Sequence, residues 1–220
     1  MRCVSMVAAL FLAAGSLAAK DTNTAGLSAK EAKEGFVSLF DGRTLKGWQG
    51  DVKGYVVEKG AIVCNRTDGN LFTAKQYANF VFRFEFKLPR AGNNGVGIRT
   101  PMQGIPAYVG MEIQILDDGH PTYRNIEPWQ AHGSIYGVVP AKRGSLKPVG
   151  KWYQEEIVAN GSRIKVTVNG RAIVDADLSK IDKTPDHEKH PGLHNAKGYV
   201  GWLGHNDPVA FRNIRIKPLP

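Results

Sequence analysis

Phe80-Val81-Phe82-Arg83-Phe84-Glu85-Phe86-Lys87-Leu88 alternates apolar and polar side chains along its whole length, apart from Val81. In an extended chain successive side chains point to opposite faces. Phe80, Phe82, Phe84, Phe86 and Leu88 therefore share one face, and Arg83, Glu85 and Lys87 take the other. The stretch predicts a half-buried antiparallel strand with an aromatic core face.

The same period extends outward. Residues 55–58 and 61–64 flank Lys59-Gly60, and 163–168 and 171–174 flank Asn169-Gly170, two turn dipeptides that predict hairpins. Further strands are expected at 96–99, 109–116, 154–159, 198–203 and 209–217. No stretch in this span carries a convincing amphipathic helical pattern. The 25 Gly, 12 Pro and 20 aromatic residues (9 Phe, 7 Tyr, 4 Trp) suit many turns and short strands. With no βαβ alternation and no internal repeat, the fold class is all-β, a two-sheet antiparallel sandwich. Two long polar segments, 117–132 and 179–197, interrupt the strands, and loops of that length in a compact domain are usually functional or mobile.

Composition bounds the partners. A chain of 220 residues, 42% apolar and 22% charged, buries a full core and is neither a coiled coil nor disordered. The net charge is +9, but no basic run exceeds Lys142-Arg143, which argues against nucleic acid. Arg2, the apolar stretch 3–14 and the small residues up to Ala19 have the order of a secretory signal peptide. Cleavage is expected after Ala18, giving a signal peptide at 1–18, a polar leader at 19–34 that forms a linker or a short helix, and a domain at 35–220. The expected location is exported, periplasmic or extracellular, with no membrane span after cleavage. Only Cys64 would then remain, so no internal disulfide is available.

Candidate chemistry gathers on Met111-Glu112-Ile113-Gln114-Ile115-Leu116-Asp117-Asp118. Period two puts Glu112 and Gln114 on one face and Ile113 and Ile115 on the other, while Asp117 needs a bulge or the strand end to join them. Asn93-Asn94-Gly95 is expected to turn into the strand that ends at Arg99, whose guanidinium offers fixed donors. Trp129, His132, Tyr136, Trp152, Trp202 and His205 lie near strand ends and loops, where aromatic faces would stack on sugar rings. No cofactor is required by the pattern. A divalent cation such as Ca2+, held by Asp117, Asp118 or Glu112, is left open, as is a metal on His187, His190 and His194.

Gly35-Phe36-Val37-Ser38-Leu39-Phe40-Asp41-Gly42-Arg43-Thr44-Leu45-Lys46-Gly47-Trp48 resembles the opening of the 3-keto-disaccharide hydrolase domain family. The resemblance continues through Asn93 to Arg99, Gly110 to Asp117, Gly133 to Gly137, Lys147 to Trp152, Asn169-Gly170 and Gly201 to His205, ending at Phe211 to Ile216. It implies a concanavalin A-like lectin/glucanase jelly roll with Glu112 and Gln114 on the concave sheet, and an oligosaccharide or small-molecule substrate. The implied reaction cleaves glycosides oxidised at C3, where a base removes the acidified C2 proton, donors hold the enolate and the C1 substituent leaves. On this basis Glu112 or His132 is the base, Arg99 the enolate stabiliser, and Asp117 or His205 a secondary acid, orienting group or metal ligand. Gln114, Asn94 and Tyr136 bind hydroxyls.

Two rivals use the same residues. Laminarinase-like members of the fold carry Glu-x-Asp-x-x-Glu for retaining hydrolysis, where this chain has Glu112-x-Gln114-x-x-Asp117, two departures that weigh against that chemistry. A non-catalytic glycan-binding module would use the concave face for recognition alone.

Overall fold

The computed structural model describes residues 27–146 and 148–220. The expected signal peptide, with Cys3, lies outside the described residues. Among the described residues there are thirteen strands: β1 Val37–Ser38, β2 Trp48–Gly50, β3 Tyr55–Glu58, β4 Ala61–Cys64, β5 Asn70–Thr73, β6 Asn79–Lys87, β7 Asn93–Thr100, β8 Met111–Leu116, β9 Tyr153–Asn160, β10 Arg163–Val168, β11 Arg171–Asp177, β12 Tyr199–Leu203 and β13 Ala210–Leu219. They form two antiparallel sheets. One runs β11-β10-β9-β6-β13-β4-β3 with β1 paired to β13, and the other runs β2-β5-β12-β7-β8. The expected jelly-roll sandwich is the observed architecture.

The opening stretch is β6, at the middle of the larger sheet, and Phe80, Phe82, Phe84, Phe86 and Leu88 are all buried. Its other face pairs Arg83 with Glu156 at 2.6 Å and Glu85 with Arg212 at 2.8 Å, and holds Lys87 over the Trp152 ring at 5.0 Å. Trp202 of β12 meets the phenylalanines from the opposite sheet, stacked on Phe211 at 3.8 Å and edge-on to Phe84 at 5.1 Å. Aromatic interlock of this kind fixes how the two sheets sit on each other.

Turn chemistry explains the hairpins. Lys59 and Gly60 (φ 50° and 74°) and Asn169 and Gly170 (φ 48° and 82°) take the paired left-handed conformations of a type I′ turn, which matches the twist of the flanking strands. Elsewhere the boundaries differ from expectation. β7 starts at Asn93, not after it, because the turn lies earlier, where the Gly92 amide donates to the Pro89 carbonyl at 3.1 Å. β8 starts at Met111, because Pro106 opens a helical turn, α2 Pro106–Val109, that Gly110 ends. The described part of the leader holds α1, Ala29–Lys33, closed by a reciprocal Ser28–Glu31 capping box. Glu31 then binds Arg215 at 2.7 Å and Arg83 at 3.3 Å, which docks α1 on the outer face of the larger sheet. No helix among the described residues is long and apolar enough to cross a membrane.

Candidate active site

The smaller sheet carries the site. Register pairs share a face, so two rows cross it: Asn70, Leu203, Gly95 and Gln114, then Phe72, Gly201, Gly97 and Glu112. Glycines where bulky residues would normally stand leave a hollow. At Gly95 an added Cβ would lie 2.1 Å from Glu112 Oε1, so the Glu112 carboxyl lies over a backbone that has no side chain. Above this floor is a cleft of about 610 Å³. One wall is Asp68, Asn70 and His205, the opposite one is Tyr136 and Gln130, and the turn 104–108 closes the end beside Glu112.

Glu112 and Gln114 project together from β8, as the period predicts, and Ile113 and Ile115 are buried in the core. Both side chains are nonetheless nearly buried at the cleft floor. Glu112 is only 6% exposed, its Oε1 has no hydrogen-bond partner among the described residues, and burial raises its pKa to about 7. Gln114 is held by its Oε1, which accepts from the Ile115 amide at 3.0 Å, leaving its amide NH2 as the free end.

Tyr136 arrives from the segment that pairs with the edge of β8. The Tyr136 amide donates to the Glu112 carbonyl at 2.9 Å, and the Gly133 amide to the Gln114 carbonyl at 2.7 Å. Its hydroxyl accepts from Gln130 Nε2 at 3.2 Å, which leaves the O–H to donate. Trp129 packs edge-on against the Tyr136 ring at 5.1 Å and supports that ring, without lining the cleft. His205 sits at the mouth. Its side chain is exposed at the rim, and partial desolvation still lowers its pKa against the opposing pull of Asp68 and Asp207.

The other expected residues lie elsewhere. Arg99 is not an enolate stabiliser in this geometry: Nε donates to the Ala78 carbonyl at 2.8 Å, Nη1 to the Gly161 carbonyl at 2.8 Å and Nη2 to Asn79 Oδ1 at 3.1 Å. It ties the end of β7 in the smaller sheet to the start of β6 and the β9–β10 turn in the larger one. Asp117 lies past the end of β8, where Oδ2 accepts from the Ala91 amide at 2.9 Å, in a separate recess with Asp118 and Arg143. Asn94 is register partner to Ile115 and faces the core, so its neighbour Asn93 takes the cleft position. Trp202 belongs to the core stack, and Trp152 lies under Lys87 and Arg212 on the larger sheet.

His132 is also in the core. Its Nδ1 accepts from the Leu116 amide at 3.3 Å, which puts the proton on Nε2, 3.8 Å from Glu155 Oε2. Burial lowers the pKa of His132 to about 3 and raises that of Glu155 far above the carboxylate range, so both are neutral. Neither lines the cleft.

No group of three or more His, Cys, Asp or Glu converges as a metal site among the described residues. His190 of the three-histidine loop is already held, with Nε2 at 2.9 Å from Asp186 Oδ2 and Nδ1 at 3.2 Å from the Ala107 carbonyl.

Sequence reasoning missed Asp68, Asn70, Asn93, Gln130 and Tyr108. None of them carried a periodic signal, since even Asn70-Leu71-Phe72-Thr73, which forms β5, is short and does not alternate.

A jelly roll with a cleft over its smaller sheet, floored by a buried carboxylate and walled by amides, phenols and an imidazole, has the form of a small-molecule site. The chain belongs to the 3-keto-alpha-glucoside-1,2-lyase-like domain family, whose model matches residues 35–217. It is similar to a Bacteroides thetaiotaomicron protein named 3-keto-disaccharide hydrolase, with 27% identity over 84% of this chain and 79% of that protein. It is also similar to crystal structures of two Parabacteroides distasonis proteins provisionally described as glycosyl hydrolases. One has 25% identity and a TM-score of 0.74, covering 88% of this chain and 98% of the other. The second has 28% identity and a TM-score of 0.73, covering 84% and 99%.

Proposed function

We propose that this protein is an exported enzyme that cleaves the glycosidic bond of 3-keto-glycosides, with Glu112 as the base. The observation that carries the proposal is the Glu112 carboxyl, buried on the cleft floor over Gly95 with Oε1 unpartnered and a pKa of about 7. A general base works best when its pKa is near the working pH, and this one is half ionised at neutrality.

A ketone at C3 makes the C2 proton removable. Glu112 takes that proton, the C2–H electron pair forms the C2–C3 double bond of an enolate, and the ketone oxygen takes the charge. The Tyr136 hydroxyl and the Gln114 amide are the donors available to hold that oxygen. The enolate then re-forms the ketone as the C1–O bond breaks, leaving a C1–C2 double bond. The departing alkoxide takes a proton, either the one on Glu112 or one from a group at the cleft wall. Addition of water across C1–C2 afterwards gives the free 3-keto sugar. In this reading Asp68, Asn70 and Asn93 bind hydroxyls and His205 orients them from the rim.

Retaining hydrolysis needs a second carboxyl about 5–5.5 Å from the first. Its sequence counterpart, Asp117, is in a different recess, so nothing on β8 favours that chemistry.

The test is incubation of the purified protein with a 3-keto-disaccharide and with its unoxidised parent, with products followed by mass spectrometry. Glu112→Gln and an EDTA-treated sample run alongside. Cleavage of the keto form alone, lost in Glu112→Gln, is the expected result. Cleavage of the parent alone would replace it with ordinary hydrolysis, and binding without cleavage of either with a glycan-binding module. Activity surviving EDTA is expected of a carboxylate base that works without a metal.

A further inference from the structure

The turn that closes the cleft beside Glu112 is apolar. It runs Met102-Gln103-Gly104-Ile105-Pro106-Ala107-Tyr108, and its segment 104–108 lines the cleft. Ile105 is 63% exposed and Met102 42%, two of only four large hydrophobic side chains exposed among the described residues. A single exposed Ile on a surface needs no explanation, but this one lies on the rim of the cleft that holds the buried carboxylate.

The ledge is also held in place. His190 bridges the Ala107 carbonyl to Asp186, and the side chains of His190 and Asp186 are 2% and 4% exposed. The Asn195 amide donates to the Val109 carbonyl at 2.7 Å, and Gly192 lies so close that a Cβ there would be 2.1 Å from the Val109 carbonyl carbon. The second long loop, 179–197, thus acts on the site through α2. The His190 ring packs edge-on against Tyr108 at 5.1 Å, and Tyr108 lines the cleft with Glu112. A buried hydrogen-bonded pair is used to hold an apolar surface rigidly toward water, which is preorganisation for an apolar ligand.

The cleft is therefore two-sided. Asp68, Asn70 and His205 offer hydrogen bonds to a sugar, whereas Ile105, Pro106 and Ala107 offer no side-chain hydrogen bond. We propose that the 102–108 ledge is the leaving-group subsite of this cleft and takes a flat apolar or aromatic aglycone in preference to a second sugar. This assignment rests on the reaction proposed above.

The experiment compares benzyl and methyl 3-keto-α-glucosides, whose leaving alcohols have nearly equal acidity, so that their ratio reports binding at the subsite and not leaving-group chemistry. The benzyl compound is expected to have a kcat/KM roughly tenfold or more above the methyl compound, and above that of a 3-keto-disaccharide. Ile105→Ser, at an exposed position that leaves folding intact, is expected to bring the benzyl-to-methyl ratio down about fivefold. A parallel calorimetric measurement uses Glu112→Gln with unoxidised benzyl and methyl α-glucosides, with tighter binding of the benzyl compound expected. Cleavage with a benzyl-to-methyl ratio near one, or a ratio unmoved by Ile105→Ser, overturns the ledge and leaves the reaction standing. No cleavage of either, with an Ile105-dependent binding preference for benzyl, overturns the reaction and leaves the ledge standing.

Discussion

Glu112 and Glu155 are both buried carboxyls with unpartnered oxygens, one in each sheet, and burial raises the pKa of both. They differ in what lies beyond the oxygens. Glu112 opens onto a cleft lined by donors, whereas Glu155 faces Phe84's side of the core and the His132 ring. A shifted pKa therefore marks burial in both and a reactive position in only one, because a base must also reach the proton it removes. The Glu155–His132 pair is kept neutral inside the sandwich, where an ion pair would lose more to desolvation than its Coulomb attraction returns.

Glu112 and Glu155 part most widely when each loses its charge. Glu112→Gln is expected to lower kcat on a 3-keto-glycoside by about a thousandfold, within the span of general-base effects. The same change should stabilise the fold at high pH. The folded state holds Glu112 protonated up to about pH 7, while the unfolded chain ionises above 4.5, so the native protein loses stability as pH rises through that window. The gain from the substitution is thus absent below pH 4.5 and reaches about 3 kcal/mol above pH 7. Thermal melts at pH 4, 6 and 8 measure it, and a gain that shrinks with pH would contradict the assignment.

Gly95→Ala sharpens the geometry. The new Cβ would stand 2.1 Å from Glu112 Oε1 and push the carboxyl off its position. A loss of about a hundredfold in kcat/KM is expected, the penalty for misplacing a reacting group by about 1 Å. Circular dichroism should show a folded sheet in the same sample, and wild-type rates in Gly95→Ala would remove Glu112's placement from the mechanism.

The pH profile gives a smaller and separate signal. The kcat/KM for a keto substrate is expected to fall about tenfold per unit as pH drops below 7, where Glu112 takes up a proton and stops acting as a base. Glu112→Asp would move that limb, and a flat profile from pH 5 to 8 would point to another base.

Glu155→Gln is expected to change turnover the least, by no more than about a factor of two, because it shares no partner with the cleft. Its stability gain should again grow as pH rises above 4.5, since its folded-state pKa is raised. His132 works in the opposite direction. Its folded pKa is about 3 against 6.5 in the unfolded chain, so stability is lost as pH falls from 6.5 toward 3. Urea unfolding across pH 4 to 8 on Glu155→Gln separates the two limbs, and a large loss of turnover in that variant would make the core pair part of the active site.

How much was legible depends on the range over which each residue finds its partners. Glu112 and Gln114 were readable because β8 alternates and its isoleucines leave no choice of core face. Asn94 was assigned one residue out of phase with Asn93, because the strand was expected to begin at 96 and the register of β7 against β8 is not local information. His132 and Trp202 have the side chains of a sugar site and the positions of core residues. Only the other sheet distinguishes these roles, through Glu155 and Phe86 in one case and Phe211 and Phe84 in the other. Arg99 was misread because its acceptors are at positions 78, 79 and 161.

The all-β class, the two hairpins, the aromatic face of β6 and the shared face of Glu112 and Gln114 are legible in the residues alone. Each follows from side-chain period or turn geometry, which act within a few residues along the chain. The tertiary structure alone decided which polar groups face solvent, which are sealed between the sheets and which loop holds the apolar ledge. Those outcomes depend on burial, and burial is set by elements far apart in the chain that meet only when the sandwich closes.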